Sequence, residues 1–298
     1  MSKHTPRIGV VGVVGGWSSE ALADAVEKLT GFRLLIDMQR CVLDLESGRA
    51  MHGDVDLCEL DGILIKKVGR SYSQDMLDRL EILRFVKSGG VPIFSDPTSI
   101  LRLMDRLACT LTLARGGIPV PPTTVTESID HALSAIAGYG QAVLKPLYST
   151  KANGMQLVDA SSEPDLRQRL TAFRDAGNPM LYIQKRLTIP ERDLGVIFLG
   201  GEHVGTYARV KDSASWNTTT RDGGHYEPHA ASSEIVALAW RAQRLFHLDL
   251  TSVDVVETEQ GPVVFEVSAF GGFSGSQEAL GIDLAARYAR YAVERVAS

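Results

Sequence analysis

Cysteine is scarce in this 298-residue chain. Cys41, Cys58 and Cys109 are odd in number, far apart and without C-x-x-C spacing, so neither a disulfide framework nor a zinc site is expected, and the thiols read as reduced and partly buried. Long apolar runs are missing too. None approaches the roughly 18 residues of a membrane span, and the segment Met1 to Arg7 leads into a strand rather than the apolar core of a signal peptide. A cytoplasmic protein with no membrane partner is expected. There is no excess of basic residues: the net charge is -5 and the pI near 5.8, which gives no general attraction to nucleic acid. The histidines are scattered, and Pro228 between His225 and His229 spoils a helical metal pair.

What is present is an ordinary globular composition, 44% apolar and 22% charged, long enough for two or three packed units. Residues 7 to 98 alternate between strand and helix patterns: an apolar run from Ile8 to Val14, a helix from Ser18 to Leu29, and buried strands at Leu34 to Ile36, Gly62 to Ile65 and Val91 to Phe94. That alternation predicts a parallel sheet with helices on its faces. Gly9, Gly12, Gly15 and Gly16 lack the G-x-G-x-x-G spacing and mark a tight strand-to-helix turn. Ser95-Asp96-Pro97-Thr98 is a boundary, with Thr98 capping a helix from Ser99 to Arg115. A strand at Thr123 to Val125, a helix from Ile129 to Gly138 and a strand at Ala142 to Leu147 follow. The loop Tyr148 to Gly154 then leads into the strand Met155 to Val158, whereas a Walker loop would open onto a helix. From Met180 the pattern is strand-rich, at Leu181 to Gln184, Leu194 to Leu199 and His203 to Val210. Lys211 to His229 is a long polar stretch without period, of the kind that is functional or mobile. Helices at Glu234 to Phe246 and Leu284 to Val296 flank two further strands.

Those two strands carry the most informative chemistry. Thr251 to Glu257 and Val263 to Ser268 flank a turn at Glu259-Gln260-Gly261, where Gly261 suits the left-handed position of a three-residue hairpin loop. Centring the hairpin on Gln260 places Asp254 opposite Glu266. Directly paired side chains have β-carbons about 4.5 to 5.5 Å apart, and two acids that close in apolar strands repel. Either one carboxyl holds a proton or a cation sits between them. Magnesium is usually held by one or two carboxylates plus substrate phosphates, and Ser268, two residues beyond Glu266 on the same face, offers a third oxygen. Lys145, ending an apolar strand before Pro146, supplies the positive charge that phosphate needs.

With these residues the chain resembles the RimK-type α-L-glutamate ligases of the ATP-grasp superfamily, in order from Lys66 to the C-terminus. Lys67-Val68-Gly69-Arg70-Ser71 is similar to the family's R-I-G-x-S loop, Leu103-Met104-Asp105-Arg106-Leu107 to its D-K helix, and Val143-Leu144-Lys145-Pro146-Leu147 to V-x-K-P-L. Ser252-Val253-Asp254 and Phe265-Glu266-Val267-Ser268-Ala269 resemble G-V-D and M-E-V-N-A-S, and Gly281-Ile282-Asp283-Leu284-Ala285 its closing G-I-D-x-A. The resemblance implies an α/β (α+β) ATP-grasp fold: a parallel-sheet domain at 1–97, a central subdomain at 98–184 and a C-terminal subdomain with the metal hairpin at 185–298. It implies ATP and Mg2+ (or Mn2+), with Asp254, Glu266 and Ser268 on the metal. Arg106, Lys145 and Thr150 would lie at the phosphates, and Gln184, Lys185, Arg186 and Leu187 would form the hinge that binds adenine through backbone groups. Asp193 is expected on the ribose side. Lys67, Arg70, Ser71 and Arg221 are expected near the substrate, and Arg209 at the tetrahedral intermediate.

The chain departs from the family pattern at several positions. The metal asparagine is Ser268, the D-K lysine is Arg106, and the arginine of D-I-R is Gly195. The loop W-R-T-N-T-A-R-G-G becomes Trp216-Asn217-Thr218-Thr219-Thr220-Arg221-Asp222-Gly223-Gly224. The implied activity is amide-bond formation between a carboxylate acceptor (a peptide, an amino acid or a glutamyl-tailed coenzyme such as tetrahydromethanopterin) and an amino-acid donor, through an acyl phosphate, by a homodimer or homotetramer. A small-molecule kinase of the same fold and a non-catalytic ATP-binding protein are the alternatives.

Overall fold

Between Ile8 and Phe94 short apolar runs alternate with amphipathic stretches, and the chain folds as that pattern dictates. The computed structural model describes residues 5–70, 72, 75–150, 152–161, 165–211, 218 and 223–297. Strands β1 (Ile8–Val11) and β2 (Leu35–Ile36) flank helix α1 (Trp17–Thr30). Three strands, β3 (Cys41–Asp44), β4 (Arg49–His52) and β5 (Val55–Asp56), then form a small antiparallel meander. Its short half-exposed strands carry no strong apolar signal, so this insertion is not evident in the sequence. Strand β6 (Gly62–Ile65), helix α2 (Asp75–Ser88) and strand β7 (Ile93–Phe94) return to the parallel sheet, whose order is β2-β1-β6-β7. One face of that sheet packs on α2. The other, through Ile8, Val10, Leu64 and Phe94, meets α1 and the last helix of the chain.

The boundary at Ser95 to Thr98 forms differently from expectation. Asp96, not Thr98, is the cap: its carboxylate accepts from the Thr98 and Ser99 amides at 2.8 and 3.1 Å, and Pro97 takes the first helical turn. The expected single helix is two, α3 (Pro97–Met104) and α4 (Arg106–Arg115), because Asp105 leaves helical geometry and caps α4 through the Leu107 amide at 2.9 Å. The break puts Arg106 at the start of α4.

The central sheet has the order β10-β9-β11-β8, from β8 (Thr123–Thr126), β9 (Gln141–Lys145), β10 (Gln156–Asp159) and β11 (Leu181–Lys185). Strand β9 ends at Lys145 rather than Leu147, since Pro146 has no amide to donate. Helices α5 (Ile129–Tyr139) and α6 (Leu166–Asp175) cover one face, where Ala142, Leu144, Val158, Leu181 and Ile183 form a separate core. Residues of opposite parity, Val143, Lys145, Tyr182 and Gln184, therefore project from the uncovered face.

The last sheet has the order β14-β13-β12-β15-β16: β12 (Arg192–Leu199), β13 (Glu202–Val210), β14 (His225–Pro228), β15 (Leu250–Thr258) and β16 (Gly261–Ser268). Strand β14 falls inside the polar stretch that shows no period in the sequence, and its Pro228 is tolerated at a sheet edge. Helix α7 (Ser233–Arg244) packs on one face, which shares a continuous apolar core with α4 and the first sheet. Helices α8 (Phe273–Leu280) and α9 (Leu284–Val296) cover part of the other face. The rest of that face is left for Asp193, Gly195, Arg209, Asp254 and Glu266. Among the described residues no helix is long and apolar enough to cross a membrane.

Candidate active site

The β15–β16 hairpin delivers Asp254 opposite Glu266, and Ser252 opposite Ser268. The route differs from the expected three-residue loop. The turn is the two-residue Glu259–Gln260 between the paired Thr258 and Gly261, and Phe265 bulges out so that Val255 pairs with Val264. One extra residue in a strand restores the register that the shorter turn would otherwise shift. The bulge also aims the Phe265 ring across the cleft, 5.2 Å from Lys145 Nζ.

Each of the two acids meets its own guanidinium. Arg209 Nη2 lies 2.9 Å from Asp254 Oδ2, while Arg106 Nη1 donates to Glu266 Oε2 at 3.1 Å. Arg209 also donates through Nε to both oxygens of Asp193 at 3.1 Å, with a further contact from Nη2. Asp193, expected on the ribose side, is 5% exposed and turned onto Arg209, because register places it directly across from that residue. Burial pushes the Asp254 carboxyl above the ordinary range, the Arg209 guanidinium pulling it back and the Asp193 and Glu266 carboxylates adding to the rise.

These oxygens suit a hard divalent cation. Asp254 and Glu266 share one face with Ser252, two residues before Asp254, whose hydroxyl is buried and has no partner at hydrogen-bond distance among the described residues. Ser268 Oγ accepts from the Phe270 amide at 3.3 Å and keeps a lone pair. No group of three or more His, Cys, Asp or Glu side chains converges among the described residues, so a cation here would draw the rest of its shell from ligand oxygens.

Arg106 has a second task. Its backbone amide donates to Leu147 O at 3.2 Å, Nε to Pro146 O at 3.1 Å and Nη2 to Ser149 O at 3.3 Å. A lysine at this position would lack the planar fork that joins the 146–149 loop to Glu266. A small cleft opens there, with Arg106, Glu266, Phe265, Ser149, Leu147 and Tyr72 in its lining. Thr150 is exposed at the next turn.

On the central sheet, Lys145 is buried and its Nζ donates to Gln184 Oε1 at 2.5 Å. Burial, with Arg106 adding and Glu266 opposing, brings its ammonium down to about 7. The expected hinge lies beside it, but the amides of Lys185 and Arg186 donate within the fold, to Pro122 O at 2.8 Å and Gln141 O at 3.0 Å. Leu187 is half-buried just beyond.

Lys67 and Arg70 are not among the residues that line this cleft. They follow β6, beside the loop that follows β1, and the strand order reverses between those two strands. Ligands of open parallel sheets bind outside the carboxyl ends at such a point. Arg70 spans the crevice by donating to Val14 O at 3.0 Å. Its neighbour Lys66 was not among the sequence candidates, although it too ends an apolar strand. It is 2% exposed, donates to Phe270 O at 2.6 Å and packs 4.3 Å from the Phe273 ring centre, which ties the crevice to the turn after the hairpin. Ser71 and Arg221 lie outside the described residues, as do Asn217, Thr219 and Asp222. Gly195 is explained by its neighbour: a β-carbon there would meet the Tyr207 ring at 2.3 Å, and one at Gly275 would meet it at 2.5 Å.

Residues 103–292 match the RimK-like ATP-grasp domain. The chain belongs to that family. Its relatives include a tetrahydromethanopterin:α-L-glutamate ligase of Methanosarcina acetivorans, 25% identical over 90% of this chain and 92% of that protein. A ribosomal protein bS6–L-glutamate ligase of Escherichia fergusonii is 27% identical over 72% of this chain and 71% of its own. The ATP-grasp ligase PsnB, solved with a minimal precursor, superposes with a TM-score of 0.76 at 17% identity over 98% of this chain and 99% of that one, a likeness of fold. The chain is thus an ATP-dependent ligase of the carboxylate–amine class, in a family that works with ATP and divalent metal.

Proposed function

We propose that this chain uses ATP with Mg2+ (or Mn2+) to convert an acceptor carboxylate into an acyl phosphate and then joins it to the amine of an amino acid, glutamate being the donor to which its relatives' names point. The observation that carries this reading is the double attachment of Arg106 to Glu266 and to the loop after Lys145. It sets a hairpin able to hold a cation against a loop able to cover phosphates.

The residues divide the work by charge. Lys145 faces the hairpin with no carboxylate partner among the described residues, and it would bind a phosphate oxygen. Asp254 and Glu266, with Ser268 beside them, would hold the divalent cation, which when bound neutralises charge on the terminal phosphates. Arg209, steadied by Asp193 and beside Asp254, would receive the oxyanion formed when the amine attacks. Lys67 and Arg70 flank a crevice suited to the anionic end of a small-molecule or peptide acceptor, with Ser71 and Arg221 assigned the same role from the family pattern.

The test is ADP release from the purified chain, screened against pairs of carboxylate and amine. Release that requires both partners and yields an amide supports the ligase. Release with one partner alone, leaving a stable phosphorylated product, identifies a kinase and overturns this reading.

A further inference from the structure

The side chain of Gln184 makes contacts that a backbone hinge does not need. It projects from the uncovered face of the central sheet beside Lys145 and is 3% exposed. An ammonium has three donors and no acceptor, so the amide oxygen must be the atom that faces Lys145 Nζ at 2.5 Å. The amide nitrogen is thereby turned away, and it donates to Thr123 Oγ1 at 3.1 Å and to the Tyr182 hydroxyl at 3.2 Å. Tyr182 shares a 2.8 Å hydrogen bond with Thr110 Oγ1, one helical turn beyond Arg106 on α4. An unbroken chain of hydrogen bonds therefore runs from α4 to Lys145. Among the described residues, the other groups facing this lysine are Arg106, Glu266 and the Phe265 ring.

We propose that Gln184 is a positioning residue for Lys145: the Thr110–Tyr182 pair fixes the amide, and its oxygen holds the ammonium toward the cleft while leaving its charge for a nucleotide phosphate. The inference rests on the reading of Lys145 as a phosphate-binding group. A neutral acceptor is what this job requires. A carboxylate would hold the lysine as firmly but cancel the charge, and an apolar side chain would leave a buried ammonium without an acceptor.

Two substitutions then act in opposite directions on the pH at which binding is lost. In the unaltered protein, affinity for ADP should decline above pH 7, where the free protein's lysine gives up its proton. Gln184→Glu should weaken ADP binding about tenfold at neutral pH and move the decline to higher pH, because the new carboxylate stabilises the ammonium. Gln184→Met should weaken it by a similar factor and move the decline to lower pH. Tyr182→Phe, which releases the amide to flip, should move it the same way as Gln184→Met but less.

The measurement is calorimetric titration of the full chain with ADP and Mg2+ over roughly pH 6 to 9. Opposite shifts for the Glu and Met variants are the expected result. Superimposable pH profiles for the unaltered protein and its variants would overturn the proposal while leaving nucleotide binding intact. An unaltered protein that binds no ADP at any pH would overturn the nucleotide reading itself, and the proposal with it.

Discussion

The two walls of the cleft handle charge in opposite ways. On the hairpin wall two carboxylates face one another and each is answered by an arginine, Asp254 by Arg209 and Glu266 by Arg106. On the central-sheet wall a single buried ammonium, Lys145, is answered by a neutral amide. Buried charge without a counterion costs several kcal/mol, so the second wall is built at the expense of stability. A nucleotide complexed with a divalent cation carries both signs, and on the proposed reading the difference between the walls would match it: acids for the metal, a cation without an ion-pair partner for the phosphates.

Removing one charge from each wall should therefore have unlike consequences. Asp254→Asn keeps the shape of the hairpin and leaves Arg209 with Asp193, yet ADP release should fall by roughly a thousandfold or more. A loss below tenfold would contradict the assignment of that wall to the metal. Lys145→Met should lower kcat/KM for ATP by about a hundredfold while raising the melting temperature, with about 2 to 4 °C expected for each kcal/mol gained in a chain of this size. A lower melting temperature would make Lys145 a structural residue. Arg106→Lys retains charge but not the fork, and about a tenfold loss of turnover is expected from the freed 146–149 loop. An effect on stability alone belongs to the floor of the hairpin wall. Gly195→Ala collides with the Tyr207 ring and should cost about 1 to 3 kcal/mol in urea unfolding, and combining it with Tyr207→Ala should remove the clash term.

The hairpin wall was the more legible of the two. Its cross-strand pairing follows from counting residues, although the count succeeded through compensation: a turn one residue shorter than expected and a bulge at Phe265 restore the same partners. Lys145 was legible as a lysine closing an apolar strand, and the same logic applied to Gly62–Ile65 would have found Lys66. The α3–α4 break was signalled by Asp105, a good cap within a sequence that otherwise reads as continuous helix. Tertiary partners left no such trace. That Arg209 turns to Asp193, or that the Gln184 amide reaches Lys145, depends on which strands lie side by side, and no local pattern encodes it. The Gly271–Gly272 pair likewise hid α8, where a left-handed Gly272 precedes the helix.

Carboxylate activation itself can be followed atom by atom. With oxygen-18 in the acceptor carboxylate, one labelled oxygen should leave as inorganic phosphate for every amide formed, because the acyl phosphate is opened at its carbonyl carbon. Amide formed with none of the label in phosphate, the expelled oxygen appearing in AMP or water instead, would contradict the account.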